Sequence, residues 1–223
     1  MMTDFTAARL NMVESQVRPN GITDRRIIAA VERVPREIFV PQGRRAVAYM
    51  DEDVPLEPAD ASGGPRALIE VMAFARLLQH AAIKPADKVL VVGAGTGYGA
   101  AVIAMLARQT VALECDAGLA AAARANLEGM AGVAVVEGDL AAGVPGEQPF
   151  DVILAEGRVE EVPQSWLDQL ADGGRLVAVV GEAEMAKACV YTRSGSAVAV
   201  RPVFDASVAA LPGLRKKKPA FMF

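Results

Sequence analysis

Residues 89–107, VLVVGAGTGYGAAVIAMLA, carry four apolar residues into three alternating glycines, Gly93, Gly95 and Gly97, and then into a pattern of helical spacing. Glycines placed in this way let the backbone turn sharply and let a ligand approach the main chain, because no Cβ stands between them. Glu114 closes the next apolar run, 17 residues beyond Gly97. A carboxylate there can accept hydrogen bonds from both hydroxyls of a ribose. Asp139 closes a third run, in VVEGDL. A turn after one strand, with acids after the next two, supplies the parts of an adenosine site.

Glycine spacing bears on which adenosine ligand. Dinucleotide turns normally read GxGxxG and set a pyrophosphate over the helix N-terminus. Here the third glycine comes one residue early, as GxGxGY. That form, with the acids behind it, points to S-adenosylmethionine. The candidate cofactor contacts are Gly93, Ala94, Gly95, Gly97 and Tyr98 in the turn, Glu114 and Cys115 after the second strand, Asp139 and Leu140 after the third, and Glu156 after the fourth. Tyr98 either lies against the cofactor or simply starts the helix, and Glu156 either approaches a methionine amino group or faces water. The bland alternatives are glycines used for packing, Glu114 as an exposed strand end and Asp139 as a cap.

The elements that must position these residues follow from pattern. KVLVVG, TVALEC, VAVVEG, FDVILAEG and RLVAVVG read as strands, with helices over AAVIAMLARQ, GLAAAARANLEGM and EEVPQSWLDQLADG between them. This alternation predicts a doubly wound, mostly parallel sheet. Beyond Gly181, two alternating runs joined by RSGS predict an antiparallel edge hairpin. Ahead of the sheet come helices over 4–17, over GITDRRIIAAVERVP with Thr23 or Asp24 as cap, and over 67–80. Residues 41–66 between them read as an irregular loop, and long loops in compact domains are usually functional. We read the 223 residues as one domain: a helical region with its loop over 1–80, a cofactor-binding core over 81–181, and a hairpin and tail over 182–223.

The remaining composition narrows the class. A net charge of −4 provides no basic field for nucleic acid, and the RKKKP run at 215–219 reads as a solvated tail. The N-terminus lacks the apolar core of a secretory signal, and no window is long enough for a membrane span, so a cytoplasmic protein is expected. Cys115 and Cys189 lack metal-ligand spacing and read as buried thiols, with no metal. The single histidine, His80, reads as a helix-end residue, and Trp166 as a packing residue.

MVESQVRPNGITDRRIIAAVERVPREIFVP, AYMDEDVPL, PFDVILAEG and LDQLADGGRLVAVVG together resemble the protein-L-isoaspartate O-methyltransferases over roughly residues 10–181. The resemblance implies a class I methyltransferase fold and an enzyme that uses S-adenosylmethionine to methylate the free α-carboxylate of isoaspartyl residues in damaged proteins or peptides; a monomer with no membrane partner is expected. In that family a segment of the type TISQP lies before the helix, its hydroxyl close to the acceptor carboxylate. This chain has EPADASGGPRA there. Ser62 is its only hydroxyl, and Asp60 beside it would repel a carboxylate by about 1 kcal/mol when solvated. Ser62 and Asp60 are the candidate catalytic residues. The family often carries an acid where this chain has Val91. Two alternatives stand beside the leading reading: a methyltransferase of the same fold with another acceptor, and a non-catalytic protein that binds S-adenosylmethionine.

Overall fold

The structure, a computed structural model, describes residues 4–56 and 66–214. Ser62, Asp60 and the RKKKP run lie outside the described residues. Helix α1 (Phe5–Met12) starts behind Asp4, whose carboxylate accepts from the amides of Thr6 and Ala7. A π turn over Val13–Val17 continues it. Helix α2 (Arg25–Arg33) is capped by Asp24, which accepts from the Arg26 amide, and stops before Pro35.

The expected irregular loop has more order at its ends than its composition implies. It contains a 3-10 turn over Gln42–Val47, and its stems pair as antiparallel strands β1 (Val54–Pro55) and β2 (Ala67–Leu68). The helix expected from residue 67 therefore begins later, as α3 (Val71–Ala81). The physical reason is competition for backbone groups. Buried Arg36 takes the Ile69 carbonyl at 2.8 Å and Asp53 takes the Glu70 amide at 2.8 Å, so these residues serve the stem.

Strands β3 (Lys88–Val92), β4 (Gln109–Glu114), β5 (Val133–Glu137), β6 (Phe150–Val159) and β7 (Leu170–Val180) form the parallel part of a seven-stranded sheet. Strands β8 (Lys187–Ser194) and β9 (Ala197–Asp205) add the expected antiparallel hairpin. The order is β5-β4-β3-β6-β7-β8-β9. Helices α4 (Tyr98–Ala104) and α5 (Ala117–Asn126) connect the first three parallel strands. Val89, Leu90, Val91 and Val92 are all fully buried, as a central parallel strand covered on both faces requires.

The two faces are covered unequally. Residues of α2, α3, α4 and α5 share one core with Val89, Val91, Val152 and Leu154. The other face packs Leu90, Val92 and Ile153 against Trp166, Leu140, Leu211 and Leu214. The helix expected over 160–173 shrinks to α6 (Gln164–Asp168), because β6 runs on to Val159 and Leu170 already pairs with Phe150. Among the described residues no helix is long and apolar enough to cross a membrane.

Trp166 anchors this thinner face. It is fully buried and its Nε1 donates to the Leu140 carbonyl at 2.7 Å. Trp166→Phe leaves that carbonyl without its donor and is expected to cost about 1–3 kcal/mol. Trp166→Ala adds a cavity and is expected to cost about 3–5 kcal/mol. Urea unfolding followed by circular dichroism checks both, and a Phe variant as stable as the parent would remove the hydrogen bond from the account.

Candidate active site

The glycine turn is built as its sequence demands. Gly93, Gly95 and Gly97 have φ of 77°, 56° and 97°, a region L side chains rarely enter. The amides of Gly93 and Ala94 both donate to the Leu113 carbonyl, at 2.9 and 3.0 Å, which ties the turn to the end of β4. The far side is fastened by Asn126, whose side-chain amide donates to the Thr96 carbonyl at 3.0 Å, and by the Thr96 hydroxyl on the Phe39 carbonyl. An open cleft of about 310 Å³ lies outside the turn, lined by Phe39, Pro41, Thr96, Leu119 and Asn126 among others.

Glu114 is 0% exposed and faces into the turn. Its Oε2 accepts from the Gly95 amide at 2.7 Å, and its Oε1 from the amides of Cys115 and Asp116 at 2.9 and 3.0 Å. Arg66 then closes on both oxygens, Nη1 to Oε1 and Nη2 to Oε2, each at 2.7 Å. This buried, two-pronged pair is of the strong kind. Arg66 also donates to the Gly93 carbonyl at 3.1 Å. Two leucines complete the closure: a Cβ built on Gly95 would meet Leu56 at 2.9 Å, and one on Gly93 would meet Leu211 at 2.4 Å.

A second polar group lies below the turn. Glu156, near the end of β6, is 6% exposed, and its Oε1 is buried without a hydrogen-bond partner. Tyr98 Oη and Arg36 Nη1 are likewise buried and unpartnered. Burial pushes the Glu156 carboxyl up to about 8, while Arg36 and Arg66 pull it down and Glu114 pushes it further up. Arg36 stacks over the Tyr98 ring at 4.9 Å and donates to the carbonyls of Ala48 and Ile69 at 2.8 Å each.

The other expected site residues are dispersed. Tyr98 begins α4, and its ring is buried between Phe39 and Phe74, with centroids 5.7 Å away in each case. Asp139 is exposed and accepts from the Ala141 amide at 3.0 Å, capping a short 3-10 turn. Leu140 is buried in the core behind Trp166. Gly93, Ala94, Gly95, Gly97, Glu114 and Glu156 cluster at the carboxyl ends of β3, β4 and β6. Cys115 corrects the expectation of a buried thiol: it is exposed, because it lies one residue beyond β4 where the chain turns outward, and Cys189 is half-buried. Among the described residues no three His, Cys, Asp or Glu side chains are grouped so as to hold a metal ion. Arg66, Arg36, Leu56 and Leu211 were not visible as site residues in the sequence. The one signal for Arg66 was its place directly after Pro65 in a glycine-rich stretch.

With its antiparallel edge hairpin, its glycine turn after β3 and the carboxylate at the end of β4, the mostly parallel sheet has the fold of a class I methyltransferase. The comparisons give the family. The family model described as protein-L-isoaspartate(D-aspartate) O-methyltransferase (PCMT) matches residues 8–210, and the chain belongs to that family. A protein-L-isoaspartate O-methyltransferase of Koribacter versatilis is 37% identical over 98% of this chain and 97% of its own. One of Methanoculleus marisnigri is 40% identical over 79% of this chain and 78% of its own. A solved protein-L-isoaspartate O-methyltransferase shares the fold with a TM-score of 0.80 at 24% identity, covering 92% of this chain and 66% of that one. A Plasmodium falciparum structure described as a beta-aspartate methyltransferase, solved with S-adenosyl-L-homocysteine, shares the fold with a TM-score of 0.76 at 17% identity, over 91% of this chain and 97% of its own.

Two outcomes follow from Glu156. A Cβ on Gly99 would sit 1.5 Å from Glu156 Oε1. Gly99→Ala is therefore expected to destabilise the fold by about 1–3 kcal/mol, and adding Glu156→Ala should recover most of that loss in thermal unfolding. The second outcome is a pH dependence. The folded carboxyl holds its proton up to about 8 against an ordinary value of 4.5, so the folded chain binds more protons than the unfolded one between those values. Stability then falls as pH rises through that window, by at most about 1.4 kcal/mol per unit. Urea midpoints at pH 5, 6.5 and 8 should fall in the parent and flatten in Glu156→Gln; parallel slopes would show that Glu156 does not titrate in this range.

Proposed function

We propose that this chain transfers a methyl group from S-adenosylmethionine to the free carboxylate of isoaspartyl residues in proteins or peptides. The observation that carries the reading is the Cβ-free turn at Gly93, Gly95 and Gly97 with the Glu114 carboxylate aimed into it, in a member of this family. The residues present fit such a cofactor. The turn leaves a cradle into which its own leucines now reach, and the Glu114 oxygens accept two parallel donors, as they would from a ribose diol. Glu156 offers a buried oxygen with no partner, suited to an ammonium group.

When bound, the cofactor supplies an electrophilic methyl on a sulfonium. The acceptor carboxylate is already a nucleophile, so the chain needs no general base. Its task is alignment of the two reacting atoms and exclusion of water. In this proposal Gly93, Ala94, Gly95 and Gly97 admit the cofactor to the main chain. Glu114 holds the ribose, with Cys115 beside it, Asp139 is assigned to the adenine edge with Leu140 behind it in the core, and Glu156 takes the amino group. Tyr98 supports the turn from the core. Ser62 and Asp60 are kept as the candidate catalytic residues. The proposal includes a cytoplasmic monomer with neither nucleic acid nor membrane as partner, and the net charge of −4 supports the exclusion of nucleic acid.

A second reading keeps the cofactor and changes the acceptor. EPADASGGPRA in place of the family's hydroxyl-bearing segment favours it. Transfer of labelled methyl from S-adenosylmethionine to an isoaspartyl peptide, with the normal Asp peptide as control, separates the two. Labelling of the isoaspartyl peptide at least 10-fold above the control is expected. Equal background on both peptides, with an active family member alongside, would transfer the assignment to the second reading.

A further inference from the structure

We propose that Arg66 is a built-in competitor for Glu114, so that an adenosyl ligand enters by exchanging with the Arg66 guanidinium and parting the β1–β2 stem. This rests on the reading that the glycine turn binds such a ligand. Arg66 is 3% exposed, and its donors saturate the carboxylate that the ligand's diol would use. The two occupancies exclude each other, because both consist of two parallel donors on the same two oxygens.

The closure extends past one ion pair. The Leu56 amide donates to the Arg66 carbonyl at 2.7 Å, so the leucine over Gly95 and the arginine over Glu114 sit on paired strands of one stem. Leu211 reaches Gly93 from the C-terminal segment, which is held along β6 by the Arg158 amide on the Ala209 carbonyl and the Leu211 amide on the Arg158 carbonyl, both 2.8 Å. Asp53 links the two closures: Oδ1 accepts from the Glu70 amide at 2.8 Å and Oδ2 from the Ala209 amide at 3.1 Å. Leu56, Arg66 and Leu211 thus share one tie. Exchange at Glu114 leaves no bare charge, since the amides of Gly95, Cys115 and Asp116 stay on it when Arg66 departs.

A site closed against its ligand shows an affinity reduced by the fraction of molecules that are open. Removing the competitor raises it. Calorimetric titration of the full chain with S-adenosylhomocysteine is expected to show binding at least 10-fold tighter in Arg66→Met than in the parent. Equal affinity in the two proteins would overturn the competitor role and leave the cofactor reading intact; no binding by either would overturn both. Because Arg66→Met strips a buried carboxylate of its partner, the parent provides an independent measurement. An arginine-specific dicarbonyl reagent, with the modified peptides mapped by mass, should label Arg66 at least 5-fold faster when S-adenosylhomocysteine is saturating. An unchanged rate at Arg66, with binding shown by titration, would overturn the exchange.

Discussion

A carboxylate with no solvent exposure at the end of β4 sets the terms for this end of the molecule. A buried carboxylate needs donors on both oxygens, and the chain supplies Glu114 with six: three backbone amides, the two prongs of Arg66 and the Cys115 thiol. The Gly95 amide reaches it only because Gly95 takes a positive φ, and the amides of Cys115 and Asp116 reach it because the chain curls back over the strand end before α5 starts. Arg66 reaches it only if the β1–β2 stem is paired. The turn, the start of α5 and the stem are thus arranged around one charge.

The second buried acid, Glu156, lives under the opposite condition. It has neither backbone amides nor a cation on Oε1, and burial keeps it protonated well above the usual carboxylate range. The two buried acids, on the strands either side of β3, differ in this way: one is held by donors on both oxygens, the other is left short of them. In the proposed reading the hydroxyls of the ligand meet the first acid, and the second can take an ammonium group on its free oxygen once it gives up its proton. Gly99 matters to this division, because only a residue without a Cβ lets α4 begin against the Glu156 carboxyl.

Much of the frame could be read from the sequence because it is local. Parallel strands buried on both faces appear as unbroken apolar runs, and β3, β4, β6 and the second half of β7 are legible for that reason, while β5, an edge strand, is legible from its β-branched residues and the turns that bound it. The cap of α2 is legible as Thr23 or Asp24, and the structure uses Asp24. The missed features depend on contacts between distant segments. Arg66 and Glu114 are 48 residues apart, and nothing in either neighbourhood marks them as partners. Leu211 covers Gly93 through a C-terminal segment that has no periodicity to interpret. The length of α6 was misjudged because Trp166, Leu167 and Leu170 follow helical spacing, while Leu170 is claimed by Phe150 across the sheet. Cys115 follows an apolar strand but sits between Glu114 and Asp116, and one step past the strand end is enough to turn it outward. Tyr98 could point either way from the first turn of a helix, and Phe39 and Phe74 draw it into the core.

An ion pair is a suitable closure for a site that must open. Apolar packing alone would have to be undone before any new contact formed, whereas a charged fork on a carboxylate can be replaced donor for donor. A buried pair also adds little net stability over an apolar equivalent, since desolvation offsets most of its attraction. Breaking the pair outright would leave a buried charge, so displacement costs little only where new donors take the carboxylate as the guanidinium leaves. Binding and closure are then linked in both directions. Arg36, through the Ile69 carbonyl, and Asp53, through the Glu70 and Ala209 amides, stabilise the paired stem without touching Glu114. Whatever strengthens their hold on the stem strengthens Arg66 on Glu114, and weakens by the same free energy any ligand that needs that carboxylate.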